Sequence, residues 1–134
     1  MRKTASDEVD RLIRSLKDNM PLVREVSIDA LGELCDARAV DSLIDALNDR
    51  SGGVRWRSAW ALGKIGDSRA VDPLIRALRD SDRAVRWRAA WALGKIRDHK
   101  AIEPMECALE DEDPAVRKEA AAFLGEVRRE QLQD

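Results

Sequence analysis

The chain has 134 residues, of which 37% are charged and 4% are aromatic, and its net charge at neutral pH is −2. This length suits a single domain. So small a net charge gives no overall attraction to nucleic acid or to acidic membranes. No apolar run reaches the roughly 18 residues that a membrane span needs, and the N-terminus has no apolar stretch of the kind found in secretory signals.

A period of 31 residues organises the sequence. Blocks that start at Val9, Val40, Val71 and Ile102 stay in register without gaps, and the second and third blocks agree at 20 of 31 positions. We therefore predict a single domain over residues 1–134, made of repeats at 9–39, 40–70, 71–101 and 102–132. The residues that recur at one place in every block are Val23, Val54, Val85 and Val116, Leu31, Leu62, Leu93 and Leu124, and Gly32, Gly63, Gly94 and Gly125.

The first block predicts a helix pair whose second helix begins at Pro21, because proline is favoured at the first helical position. This helix carries two acidic residues, Glu25 and Asp29. The apolar side chains of Met20, Leu22 and Val26 are predicted to be exposed, which indicates that this end of the domain is imperfectly capped.

The second and third blocks each predict two antiparallel helices joined by short loops. In the third block, apolar spacing places the first helix at about 69–79, with Asp67 as its N-cap and Pro73 near its first turn. The second helix is predicted at about 83–96, with Asp82 as its N-cap. Because one such pair cannot bury its own apolar face, the repeats must stack on one another.

The tryptophans of these two central blocks point away from the core. Projected at about 100° per residue, the second helix of the second block places Val54 and Leu62 on a buried stripe and both of its tryptophans on the opposite side. The third block repeats this arrangement. An exposed aromatic cluster with basic neighbours is typical of a binding surface, although the rings could instead pack on one another under the basic side chains and only stabilise the stack. The predicted partner-binding residues are Trp56, Arg57, Trp60, Lys64, Trp87, Arg88, Trp91 and Lys95.

The fourth block is acidic. The net charges of the four blocks are −1, +1, +4 and −5, so a basic centre lies between acidic flanks. Lys118 and Ala122 stand where the central blocks have tryptophan, and Glu126 stands where they have lysine. This asymmetry favours a partner with an acidic or aromatic segment, and it would also allow self-association of the acidic end with the basic centre.

Two recurring sets of residues are predicted to be structural. An arginine follows the recurring valine of each block, and an aspartate ends each first helix, which favours a partly buried ladder of ion pairs between repeats. The recurring glycines lie near the ends of the second helices beside a small residue, where they favour the close approach of a neighbouring helix. The ladder residues are Arg24, Arg55, Arg86 and Arg117 together with Asp18, Asp49, Asp80 and Asp111.

The segment RAVDPLIRALRDSDRAVRWRAAWALGKI closely resembles the 31-residue HEAT-like repeats of the phycobilisome-lyase type. It also resembles artificial proteins built on an alpha-repeat consensus, and the resemblance covers nearly the whole chain. The resemblance implies an all-α fold, a right-handed α-solenoid of four 31-residue helical hairpins. In such a superhelix the first helices lie outside and the second helices line a concave face.

The sequence carries no recognisable catalytic motif. It has no glycine-rich phosphate loop, no HExxH motif and no cluster of cysteine and histidine. The lone His99 is expected on the surface, and HEAT-repeat hydroxylases hold iron with His–Glu pairs that this sequence lacks. Cys35 and Cys107 are too far apart for a zinc motif or a disulfide framework, so we expect free thiols in the cytoplasm. We predict no enzymatic activity, no cofactor and no metal.

The predicted function is that of a protein-binding scaffold or adaptor that uses the concave face around the Trp/Arg/Lys patch. One alternative is the binding of nucleic acid or another polyanion on the same basic aromatic groove, because bases stack on tryptophan. Some HEAT-like DNA glycosylases bind DNA on a basic concave face. The other alternative is a chromophore-lyase-like subunit, which the family resemblance suggests.

Overall fold

The computed structural model describes residues 4–133, which form eight α-helices and no strand. Consecutive helices pair as antiparallel hairpins, since the connections between them are short. Residues 1–3 and 134 of the predicted domain lie outside the described range, and its division into repeats of 31 stays a prediction. The helices are α1 (Ala5–Ser15), α2 (Pro21–Leu34), α3 (Val40–Ala46), α4 (Gly52–Ile65), α5 (Val71–Ala77), α6 (Arg83–Ile96), α7 (Ile102–Ala108) and α8 (Pro114–Gln133).

The second helices of the first and third hairpins begin where the sequence predicts. Helix α6 spans Arg83–Ile96, and the carboxylate of Asp82 accepts a hydrogen bond from the N–H of Ala84 at its N-terminus. Pro21 and Pro114 are the first residues of α2 and α8. Proline costs little at that position because the first helical N–H groups have no partner within the helix.

The first helix of the third hairpin, α5, is shorter than the predicted range of about 69–79. A 3-10 turn at Ser68–Ala70 precedes α5, and the carboxylate of Asp67 accepts the N–H of Arg69 in that turn. Asp67 therefore caps the 3-10 turn and not the α-helix. Apolar spacing cannot separate a 3-10 turn from the helix that follows it, because both bring residues three positions apart onto one side.

Three of the second helices end at a residue in the left-handed conformation. These residues are Cys35 (φ 50°), Gly66 (φ 76°) and Arg97 (φ 62°), and the N–H of each bonds to a carbonyl one turn earlier, as helix C-caps commonly do. Helix α8 has no such stop at the corresponding Arg128 and continues to Gln133.

The second helices pack in series, α2 on α4, α4 on α6 and α6 on α8, while each first helix packs on its own partner. The predicted core stripe of α4 is buried at Val54, Ser58, Ala61 and Leu62 and half-buried at Ile65. The Ser58 hydroxyl donates to the carbonyl of Val54 at 2.8 Å, so its polar group is satisfied. The chain is thus an all-helical solenoid of stacked hairpins. Within the described range, no helix combines the length and the apolar character needed to cross a membrane.

A ladder of ion pairs joins successive hairpins. The arginines of α2, α4 and α6 each reach an aspartate of the next hairpin, which lies in the turn after the first helix and not at its end. Burial raises the pKa of Asp49, but hydrogen bonds from the Arg24 side chain and the Ser51 N–H outweigh it and leave that pKa below its usual value. The shortest nitrogen–oxygen distances are 2.8 Å for Arg24–Asp49, 2.9 Å for Arg55–Asp80 and 3.0 Å for Arg86–Asp111.

Candidate partner-binding face

All four tryptophans are half-buried on the second helices of the central hairpins. Trp56 and Trp60 lie on α4, Trp87 and Trp91 lie on α6, and each ring packs against the edge of the core while part of it remains in contact with solvent. The rings are therefore neither sealed in the interior nor fully exposed. We call the set Trp56, Arg57, Trp60, Lys64, Trp87, Arg88, Trp91 and Lys95 the Trp–Arg face.

At two of the recurring glycines, an indole ring lies directly on the helix because no side chain stands in its way. We call such a place a glycine seat. The ring of Trp60 lies on Gly32 of the preceding second helix, and the ring of Trp91 lies on Gly63. A Cβ atom at Gly63 would lie 2.7 Å from Cζ3 of Trp91 and 2.9 Å from Cα of Ala92, closer than carbon atoms can approach. The glycine spacing predicted close packing of helices, but it did not show that the closest neighbour is an aromatic ring.

The third glycine seat is open. Nothing lies within 4 Å of the place where a Cβ at Gly94 would stand, because Ala122 occupies on α8 the position that Trp91 has on α6. The result is a recess of about 510 Å³ at this end of the Trp–Arg face, which we call the Gly94 recess. It is lined by Trp91, Gly94, Lys95, Arg97, Glu119, Ala122, Phe123 and Glu126.

Arg88 lies at the centre of the aromatic cluster. Its guanidinium carbon is 4.1 Å from the ring centroid of Trp87, 5.2 Å from that of Trp91 and 5.8 Å from that of Trp56. These distances are within the range of cation–π attraction. Trp56 of α4 and the two tryptophans of α6 thus converge on one charge.

Arg57 and Arg88 stand at the same place in their helices but have different partners. Arg57 Nε donates to Asp29 at 3.3 Å, and Arg57 also pairs with Glu25 at 3.8 Å. The tryptophans of α4 replace both of these acids one hairpin later, so Arg88 forms no ion pair with any residue in the range 4–133, and its buried Nε has no acceptor. Burial lowers the pKa of Arg88, and the Glu119 carboxylate only partly offsets this.

The two lysines complete the predicted set at its edge. Lys64 and Lys95 are exposed in the last turns of α4 and α6, and the Lys95 ammonium lies 5.6 Å from the ring centroid of Trp91.

Sequence reasoning did not find the Gly94 recess. The signal that could have revealed this recess is Ala122, which stands where the central blocks have tryptophan.

The described part of the chain offers no metal site, since no three histidine, cysteine or acidic side chains in residues 4–133 are grouped suitably. His99 lies exposed in a 3-10 turn, and Cys35 and Cys107 are exposed free thiols.

A second recess of about 600 Å³ lies between α5 and α7, with Arg76, Arg79 and Glu103 among its walls. Its charged residues are not surrounded by aromatic rings.

Several solved structures resemble this fold. They include the complex of CpcE and CpcF of phycocyanin lyase from Nostoc sp. PCC7120, at 24% identity and a TM-score of 0.78 over 86% of this chain and 79% of that one. A designed armadillo repeat protein in complex with the peptide (KR)4 aligns at 21% identity and a TM-score of 0.75 over 90% of this chain. Human deoxyhypusine hydroxylase in complex with glycerol aligns at 27% identity and a TM-score of 0.78 over 94% of this chain.

The chain spans 64% of the designed protein and 45% of the human hydroxylase, less than two thirds of either. No curated protein sequence matches it significantly. The sequence profile of HEAT repeats, by contrast, matches residues 9–83 and again 71–134, which together cover most of the chain. On this match and on its stacked helical hairpins, the chain belongs to the family of HEAT-repeat proteins.

Proposed function

We propose that this chain is a non-enzymatic scaffold or adaptor that holds a segment of another protein on the Trp–Arg face. The observation that carries the proposal is Arg88, a half-buried guanidinium among three indole rings with no acceptor for its Nε. An unpaired charge in partly desolvated surroundings is costly. A carboxylate from a partner would relieve that cost through a charge-assisted hydrogen bond.

The Gly94 recess indicates what else the partner presents. The chain fills the equivalent seats on Gly32 and Gly63 with its own indole rings. An aromatic side chain from a partner would fill the third seat in the same way, with one side against Trp91 and Phe123. The partner segment is therefore expected to combine an acidic residue, directed at Arg88, with an aromatic residue.

The structural relatives support a role in binding. One is a designed repeat protein in complex with a peptide, and another is a complex between two subunits. The basic net charge of the central blocks favours an acidic peptide here. The exposed free thiols of Cys35 and Cys107 support a reducing compartment, and so a cytoplasmic location.

Selection from a random peptide library displayed on phage tests the proposal. The enriched peptides would be synthesised, and their dissociation constants would be measured by calorimetry with the wild type, Arg88→Gln and the control Arg83→Gln. Arg83 is an exposed residue in the first turn of α6. We expect peptides rich in acidic and aromatic residues, and affinity reduced about tenfold or more by Arg88→Gln but not by Arg83→Gln.

Two results would contradict this function: peptides without acidic residues, or equal affinity for all three proteins. A second probe separates a protein partner from a polyanion. A fluorescent single-stranded oligothymidine that binds more tightly than the selected peptides, with affinity falling steeply with salt, would indicate a nucleic acid instead.

A further inference from the structure

The arginines of the ladder share one geometry. In each hairpin, Nη1 of the arginine donates to two carbonyls in the turn before its own helix, which holds the side chain in place. For Arg55 these carbonyls belong to Asp49 and Arg50, at 2.8 and 3.2 Å. Nε and Nη2 are then free to form a fork to Asp80 of the next hairpin, at 2.9 and 3.1 Å.

Among residues 4–133, the ladder leaves one residue without an ion pair in the last hairpin and one in the first. In the last hairpin, Nη1 of Arg117 donates to the carbonyls of Asp111 and Glu112 at 2.8 and 3.1 Å, as in the other hairpins, but no carboxylate of the described residues pairs with Arg117. In the first hairpin, Asp18 accepts the N–H of Met20 at 2.9 Å, as Asp49 accepts that of Ser51, but no basic side chain of the described residues pairs with Asp18. Both Arg117 and Asp18 are exposed.

The apolar surfaces around these two residues are also incomplete. On the last hairpin, Leu124 is only half-buried although the equivalent Leu93 is fully buried, and Leu109 is 38% exposed. These side chains border a recess of about 680 Å³ between α7 and α8, where another hairpin would stack. On the first hairpin, Leu22 is 64% exposed and Val26 is 60% exposed. Terminal repeats of a solenoid normally carry a polar outer face.

We infer that a second copy of this chain docks its first hairpin on the last hairpin of the first copy, with Asp18 of one copy paired to Arg117 of the other. The ladder also determines the relative orientation of the two copies. A two-fold symmetric contact would bring Arg117 against Arg117 or Asp18 against Asp18, and like charges repel. The association is therefore head-to-tail. It does not depend on the Trp–Arg face.

Sedimentation velocity over a range of protein concentrations tests this inference. Because the first and last blocks carry net charges of −1 and −5, the measurement is made at physiological salt, which screens their mutual repulsion. For the wild type, the weight-average mass should rise above the 15.0 kDa of one chain. Asp18→Arg and Arg117→Asp should each abolish the rise when measured alone.

An equimolar mixture of the two variants is the decisive sample. The Asp18→Arg chain keeps a normal last hairpin and the Arg117→Asp chain keeps a normal first hairpin, so the mixture should form the association that neither variant forms alone. Asp45→Arg and Arg83→Asp make the same charge changes at exposed positions away from the ends, and these two control variants should associate like the wild type.

Three results would overturn the inference: a wild type that stays monomeric at every concentration, single variants that associate like the wild type, or a mixture that stays monomeric. Arg88→Gln should associate normally. Head-to-tail association can therefore fail or succeed independently of partner binding on the Trp–Arg face.

Discussion

The ladder arginines show how one residue type can contribute different amounts to the free energy of unfolding at different places in a repeated structure. Arg55 is largely covered by the next hairpin, with 17% of its side chain exposed, and it pairs with Asp80, which is 12% exposed. Arg117 makes the same two bonds to backbone carbonyls but is exposed and pairs with no carboxylate in the range 4–133. Position in the stack, and not residue identity, determines how much of the charge must be compensated.

Arg55→Ala should therefore lower the free energy of unfolding by about 3 kcal/mol or more, because it leaves Asp80 partly buried without its partner. Arg117→Ala, the matched control, should cost less than about 1 kcal/mol. Urea denaturation of the two variants beside the wild type measures both values. Equal losses would show that the ladder does not stabilise the contact between hairpins.

The second helices, as elements, could be predicted better than the first helices. Proline at the first helical position placed α2 correctly, and Asp82 as an N-cap placed α6 correctly. The first helix of the third hairpin, α5, is shorter than predicted because its opening residues form a 3-10 turn. The extension of α8 to Gln133 was not predicted. A helix ends where a residue adopts the left-handed conformation, and here non-glycine residues such as Cys35 and Arg97 adopt it, so residue type does not show where the helix ends.

The recurring glycines of these helices look equivalent in the sequence but lie in different surroundings. Gly63→Ala should destabilise the protein by about 1–3 kcal/mol, because the new methyl group would overlap with Trp91 and the backbone of Ala92. Gly94→Ala should instead stabilise it by up to about 1 kcal/mol, since alanine favours a helix interior and nothing lies within 4 Å. Thermal or urea unfolding of both variants gives the comparison, and the same sign for both would contradict these seats.

A tryptophan can also be introduced on α8 at position 122, where the central second helices have one. Ala122→Trp should close the Gly94 recess in the way that Trp91 covers Gly63, and it should raise stability by about 1–2 kcal/mol through added apolar burial. The same variant should lose affinity for peptides selected on the wild type. Calorimetry and denaturation measure the two effects, and undiminished peptide binding would place the aromatic contact elsewhere.

For the molecule as a whole, the period of 31 residues was enough to predict a stack of helical hairpins, because only stacking buries their apolar faces. Sequence reasoning treated Arg57 and Arg88 alike, and the structure separates them. That difference depends on which residues of the preceding second helix lie near each arginine: Glu25 and Asp29 near Arg57, and Trp56 near Arg88. The two arginines have nearly the same local sequence, VRWRSAW for Arg57 and VRWRAAW for Arg88, so the contact between hairpins is what distinguishes them.

The ladder also makes the stability of the whole stack sensitive to acid. The pKa of Asp49 is lower in the folded chain than in the unfolded one, so its contribution is present above the unfolded value of about 4 and is lost as the pH falls through the folded value. Asp49→Asn should lower the free energy of unfolding at pH 7, and its difference from the wild type should shrink below about pH 4. Asp45→Asn is the exposed control, and a difference that persists to pH 2 would contradict this sign.

Whether the Trp–Arg face is the surface that receives a partner can be measured most directly by NMR, with a peptide selected on the wild type titrated into nitrogen-15-labelled protein. The Nε–H signal of Arg88 and the indole N–H signals of Trp56, Trp87 and Trp91 should shift together and saturate at one peptide per chain. Shifts confined to the first helices, with the Arg88 and indole signals unchanged, would contradict a binding role for this face.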